Sequence, residues 1–148
     1  MASQSGRELI KAVIKRTLSV KGWGSSFLKN VEVISADNGN CVAEFTVGEE
    51  HLNDGGTLHG GCTSTLVDSI STYALMTKVI DGKNVHPGVS VDLHITLLKA
   101  AFPGDVIVID AKTIRAGRTL AFLKVDLKKK NEGAVIALGS HTKFIGFS

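Results

Sequence analysis

The segment from Cys62 to about Lys78 constrains this chain more than any other. It carries Leu66, Val67, Ile70, Tyr73, Ala74 and Leu75, an apolar surface too broad for a single stripe, so as a helix it has to be covered on most sides. The rest of the sequence supplies the cover. From Gly88 the period changes to two: Val89, Val91, Leu93, Ile95 and Leu97 fall on one face of a strand, and Ser90, Asp92, His94 and Thr96 on the other. Pro103 and Gly104 turn the chain into a strand over Asp105–Ile114, "RAGRT" turns it into Leu120–Leu127, and "KKNEG" turns it into Ala134–Lys143. Upstream, Val31–Ser35 and the alternating Cys41, Ala43, Phe45 and Val47 flank "ADNGN", a hairpin signal. Leu9, Ile10, Val13, Ile14 and Leu18 recur at helical spacing behind Ser5, which predicts an amphipathic helix over Arg7 to about Ser19, followed by a loop at Gly22 and Gly24. The order helix, hairpin, long helix, four strands contains no repeating βαβ unit. It predicts an α+β fold, with one buried helix against a mostly antiparallel sheet of about six strands.

At 148 residues and 43% hydrophobic, the chain fits a single domain over 1–148 with a core that needs no metal or disulfide staple. Seventeen Lys and Arg against fourteen Asp and Glu give +3, too weak a bias to argue for nucleic acid. Cys41 and Cys62 lack zinc spacing and read as reduced, buried thiols, which favours an intracellular, cytoplasmic setting. The N-terminal "MASQSGRELIKAVIKRTLSV" has no continuous apolar run, and nothing approaches the roughly 20 apolar residues of a membrane span. Its basic character leaves a mitochondrial presequence open, although Glu8 counts against one.

Chemistry concentrates at the entrance to the long helix, "HLNDGGTLHGGCTSTLVDS". Gly60 and Gly61 fall where the helix begins, and the first turn of a helix leaves backbone N–H groups without internal partners. Glycines let a substrate approach those donors, which would stabilise the negative charge on a carbonyl oxygen during acyl transfer. A glycine pair by itself also marks an ordinary tight turn. Asp68 follows two turns later among Leu66, Val67 and Ile70, with Thr at position 72 instead of a basic partner. It is either a member of an exposed stripe with Ser64, Ser71 and Thr72, or a desolvated carboxylate suited to act as general base. His59 and Asn53 could hold a water, a carbonyl or the loop itself; His51 has a weaker case. Ser90, Asp92 and His94 do not form a triad, because same-face neighbours on one strand stand roughly 6.6 Å apart. Asp92 and His94 also fall short of a metal set, so no metal is expected. Arg115 and Arg118, with Lys99, are candidates for ligand phosphates or simply solvated charges.

These motifs, with "GVSVDLHITLLKAAFPGDVIVIDAKTIRAGRTLAFLKVDL" and "IALGSHTKF", resemble the hotdog-fold thioesterases of the PaaI-like, 4-hydroxybenzoyl-CoA thioesterase-like superfamily. The resemblance runs from the first helix to Phe144. It implies a hotdog fold, in which the curved antiparallel sheet wraps the long helix, and a homodimer assembled as a dimer of dimers. It implies that the Gly60 N–H polarises the thioester carbonyl, that Asp68 of the facing subunit activates water or attacks directly, that Asn53 and His59 orient water and carbonyl, and that Ser90 supports the water or Asp68. Coenzyme A would lie along Leu97, Leu98, Lys99, Ala100, Ala101 and Phe102, along Arg115, Ala116, Gly117, Arg118, Thr119 and Leu120, and beside Ser90, with His141 and Phe144 near the pantetheine path. The implied activity is hydrolysis of medium- to long-chain fatty acyl-CoA without a cofactor, coenzyme A being part of the substrate. A thioesterase for aromatic acyl-CoA and a non-catalytic acyl-CoA or lipid-binding module are the competing readings. A lipid-transfer protein is a candidate partner.

Overall fold

The computed structural model describes residues 5–147. The first four positions of the segment weighed as a presequence, and Ser148 at the end of the expected domain, lie outside the described residues. Helix α1 (Gly6–Leu18) starts at Ser5, whose hydroxyl accepts from the Glu8 N–H, and ends with Lys15 and Arg16 in its last turn, where cations suit the helix dipole. Its buried Ile10 and Ile14 lie against strand β1 (Val31–Asp37). A short helix, α2 (Ser25–Leu28), intervenes where the sequence reads only as a loop, and it places Phe27 and Leu28 in the core.

Strand β1 turns into β2 (Asn40–Thr46) through Asn38 and Gly39, both at positive φ (50° and 85°). That is the type I′ geometry which matches strand twist, and Asn-Gly is the pair that adopts it most readily. After the long helix α3 (Gly60–Met76) comes a two-residue hairpin, β3 (Val79–Ile80) and β4 (Lys83–Asn84), that hydrophobic periodicity is too short to reveal. Strands β5 (Val89–Leu97), β6 (Val106–Ala116), β7 (Leu120–Lys129) and β8 (Val135–Phe144) complete a six-stranded sheet in the order β1-β2-β6-β7-β8-β5, every pair antiparallel. The sheet wraps α3 in the hotdog arrangement.

Alternate residues of the sheet meet the helix. Cys41, Ala43 and Phe45 of β2, Ile107, Ile109 and Ala111 of β6, and Val125 and Leu127 of β7 pack with Leu66, Val67, Ile70 and Ala74 of α3, while Leu123 of β7 clusters with Leu75, all buried. Each large side chain so buried contributes about 1.5–3 kcal/mol. The helix fits tightly on β8, where Gly139 faces Val67: a methyl group on Gly139 would come within 2.6 Å of Val67 Cγ1. A small residue there lets the polar face of α3 reach the end of β8.

The edge strand β5 departs from its sequence pattern. Ser90 pairs with Lys143 and Asp92 with Thr142, so Val91 is an extra residue in a β-bulge. A bulge shifts the alternation by one position. Leu93 and Ile95 still pack on the core, but Ser90 turns to the helix side with them, away from Asp92 and His94. Val89, Val91 and Leu97 remain exposed along an edge that, among the described residues, no other strand covers.

The fit at β8 yields a stability test. Gly139→Ala should destabilise the fold by about 1–3 kcal/mol through overpacking against Val67, read as a lower urea midpoint. An unchanged midpoint would mean that helix and strand are not in tight register there.

Candidate functional site

The entrance of α3 is built by hydrogen bonds that its sequence supplies locally. His51 is buried, its Nδ1 accepts from the Gly48 N–H at 2.9 Å, and its carbonyl accepts from the His59 N–H, so its role is to hold the loop. Asn53 Oδ1 accepts from the N–H groups of Gly55 and Thr57, while Nδ2 donates to Thr57 Oγ1. One Asn53 amide hydrogen is left over for a ligand or water. His59 is the N-cap: its Nδ1 accepts from the Gly61 N–H at 2.8 Å. The neutral ring therefore carries its proton on Nε2, as a second available donor. Gly60, the first helical residue, has an N–H that precedes the helical ladder. Together with the dipole of α3 these groups make a site for a developing oxyanion.

Two cavities flank this entrance. One, of about 330 Å³, is lined by Asn53, Gly60, Leu97, Leu98, Lys99 and Ala100. Of the segment Leu97–Phe102, Ala101 is buried, while Lys99 is exposed and ion-paired to Glu132 at 3.4 Å. The other, of about 300 Å³, has the apolar walls Trp23, Phe27, Leu52 and Cys62. The thiol of Cys41 is pushed up to about 12 by burial, with help from Asp110, and that of Cys62 to about 11 by burial. Neither is a nucleophile near neutral pH.

The carboxylate group of the site lies elsewhere. Asp68 is eight residues beyond Gly60 on α3, about 12 Å along the axis, and its side chain is 46% exposed. It is thus neither sealed in the core nor on the outer surface: it lies at the margin where α3 meets β8. Below it, His141 is fully buried and bridges Ser71 Oγ (2.8 Å, Nδ1) and Ser90 Oγ (2.7 Å, Nε2). Ser71 donates to the Asp68 carbonyl, so Nδ1 is the ring donor and the Ser90 hydroxyl donates to Nε2. This leaves the lone pairs of Ser90 for a water. His141 Nε2 and Asp68 Oδ1 are 3.8 Å apart, too far for a direct bond and suited to a bridge.

Lys143, two residues along β8, is also buried and donates to Thr72 Oγ1 at 2.7 Å, and Thr72 donates to the Asp68 carbonyl at 2.8 Å. Burial lowers the pKa of His141 and of Lys143 from their usual values, while the Asp68 charge pulls both back up. The sequence reading places His141 on a pantetheine path. In the structure it is sealed behind Ser90 as a support for the carboxylate side of the site. The sequence reading misses Lys143, whose only sequence signal is polarity at a core-facing strand position, and it weighs Ser71 and Thr72 only as an exposed stripe, whereas Ser71 is buried and Thr72 half-buried.

Arg115–Leu120 forms the β6–β7 turn, with Arg115 and Arg118 exposed, and Phe144 pairs with both Leu120 and Val89. The turn therefore lies at the Val89 end of β5, alongside Ser90, whereas Leu97–Phe102 and Gly60 lie at the other end. Within one copy, the two segments expected to bind coenzyme A are separated by about the length of β5.

Residues 55–136 match the Thioesterase superfamily. Human acyl-coenzyme A thioesterase 13 is 45% identical over 144 residues, which are 97% of this chain and 96% of that protein. The chain belongs to the thioesterase superfamily. The crystal structure of zebrafish thioesterase superfamily member 2 superposes with a TM-score of 0.89 at 46% identity, covering 97% of this chain and all of that one (100%). A hypothetical thioesterase protein from Streptococcus pneumoniae TIGR4, solved with coenzyme A, gives 0.73 at 30% identity over 82% of this chain and 88% of that one. As a member of this superfamily, the protein is a thioester hydrolase.

His141 generates a pH test. Its usual value is 6.5, and burial lowers it in the folded chain. As pH falls below 6.5, the unfolded chain takes up this proton first, so folding stability drops through the window down to the lowered folded value and is unaffected by this group above 6.5. The urea midpoint should therefore fall between about pH 7.5 and about pH 5.5, and fall less in His141→Gln. Parallel declines in both proteins would contradict the assignment.

Proposed function

We propose that the protein hydrolyses medium- to long-chain fatty acyl-CoA to free acid and coenzyme A, in sites shared between two copies. The observation that carries this reading is the separation of the two half-sites along one exposed edge. The amide donors of Gly60 stand at the Leu97 end of β5, whereas Ser90 lies at the Val89 end and, with Asp68, flanks His141 opposite Leu93 at the middle of the strand. A second copy laid antiparallel against β5 brings the Gly60 of each copy to the Asp68 of the other, and covers Val89, Val91 and Leu97 as it does so. The same two-fold operation joins the Leu97–Phe102 segment of one copy to the Arg115–Leu120 turn of the other, where Arg115 and Arg118 can meet phosphates. Dimers of this kind would pair again as a dimer of dimers.

In such a site the thioester carbonyl accepts from the Gly60 N–H, with the spare donors of Asn53 and His59 orienting it or the water. The water sits between Ser90 and Asp68. Asp68 takes a proton as the water oxygen adds to the carbonyl carbon. The tetrahedral oxyanion then collapses, the C–S bond breaks, and the thiolate of coenzyme A leaves with the proton from Asp68. The polarity of the two cavities favours a division of labour. The pantetheine arm fits the one lined by Asn53 and Lys99, and the acyl chain fits the one walled by Trp23, Phe27 and Leu52.

Asp68→Asn should lower turnover by at least ~10²-fold with little change in KM, because only the proton acceptor is lost. The assay is free thiol released from acyl-CoAs over a chain-length series. Turnover of the variant at the wild-type rate would overturn the role of Asp68. Preference for benzoyl-CoA over all the fatty substrates would favour the aromatic reading.

A further inference from the structure

We infer that the α1–α2 corner is a docking surface for an anionic phospholipid bilayer. Three large apolar side chains are exposed close together there, Leu18 (40%), Val20 (57%) and Trp23 (77%). Leu18 and Val20 have no part in the proposed mechanism, and Trp23 only walls the apolar cavity. They are set among cations: residues 9–31 contain Lys11, Lys15, Arg16, Lys21 and Lys29 and no acid at all. Lys11, Lys15 and Arg16 lie on the exposed face of α1, opposite the Ile10 and Ile14 that bury it against β1, and Lys21 lies between Val20 and Trp23. Acids around it include Glu8 at the far end of α1, Glu32 on the strand that α1 packs on, and Glu50, whose carboxylate is 3.9 Å from Lys29 Nζ.

Charge complementarity selects the occupant. A basic helix face beside an apolar, tryptophan-bearing loop combines attraction to anionic headgroups with shallow insertion of apolar side chains. Trp23 suits the membrane interface because its indole N–H already donates to Thr65 Oγ1 at 3.1 Å, so immersion of the ring strands no donor. Among the described residues no helix is long and apolar enough to cross a membrane, so the contact is peripheral. The corner packs on β1, at the opposite edge of the sheet from β5, and remains free when two copies pair through β5. Trp23 also walls the apolar cavity beside the α3 entrance. A docked protein would thus face its acyl-chain cavity toward the bilayer where long-chain acyl-CoA partitions; that consequence, unlike the docking itself, rests on the proposed activity.

Trp23 is the single tryptophan, so its emission reports the contact directly. The full-length protein is titrated with vesicles of phosphatidylcholine alone and of equal parts phosphatidylcholine and phosphatidylserine, with cosedimentation measured in parallel. The expected result is binding to the anionic vesicles, a blue shift of Trp23 emission, and loss of both at high salt. Lys15→Glu/Arg16→Glu/Lys21→Glu should bind on the order of 100-fold more weakly, at roughly fivefold per cation, and still hydrolyse a soluble short-chain acyl-CoA as the wild type does. Absence of binding, equal binding to the neutral vesicles, binding without a blue shift, or undiminished binding by the triple variant would each overturn the proposal. Vesicle binding by a wild type that hydrolyses no acyl-CoA would leave the docking surface standing and remove the proposed substrate instead.

Discussion

Gly60 and Asp68 belong to one rigid helix, about 12 Å apart along its axis, and a carbonyl carbon with its attacking water spans only about 3 Å. The donors that would hold an oxyanion and the carboxylate that would activate water cannot serve the same thioester from one copy. In the dimer we propose, the exposed β5 edge would resolve this, since an antiparallel neighbour there exchanges the two ends. Edge strands with apolar side chains are normally capped or blunted. The proposed pairing would account for the bare edge and the divided site together.

The carboxylate side depends on how closely α3 rests on β8. With Gly139 under Val67, the helix presents Asp68, Ser71 and Thr72 to His141 and Lys143 at hydrogen-bond range. Two buried titratable groups there are tied to hydroxyls, which in turn are tied to the Asp68 carbonyl. The network fixes the backbone that carries the carboxylate and leaves its oxygens partly open. It also fixes the direction of the Ser90 hydroxyl through the imidazole, which leaves the serine lone pairs available as acceptors.

Much of this was legible in the sequence because it rests on local rules. The α3 core face, the Asn38–Gly39 turn and the four later strands follow from periodicity and turn chemistry, and the glycines before α3 mark its entrance. Asp68 stood out as a carboxylate among apolar neighbours. The orientation of Ser90 was not legible: strict alternation puts it with Asp92 and His94, and only the pairing with β8 reveals the extra residue at Val91. His141 and Lys143 alternate like core residues, and what ties them to the Asp68 turn is contact with α3 across some seventy positions of sequence. No spacing rule reaches that far. The short helix α2 escaped because four residues carry too little periodicity, although it supplies Phe27 to a cavity wall.

The division of the site between copies is tested most directly by complementation. Asp68→Asn removes the carboxylate and keeps the donors; Gly60→Pro removes the donor at the first helical position, where proline keeps the helix geometry. Each variant alone should be nearly inactive. Unfolded together in equal amounts and reassembled, half of the pairs are mixed and each holds one intact site, so thiol release should recover to about a quarter of the wild-type rate. A mixture no more active than its components would contradict the shared site.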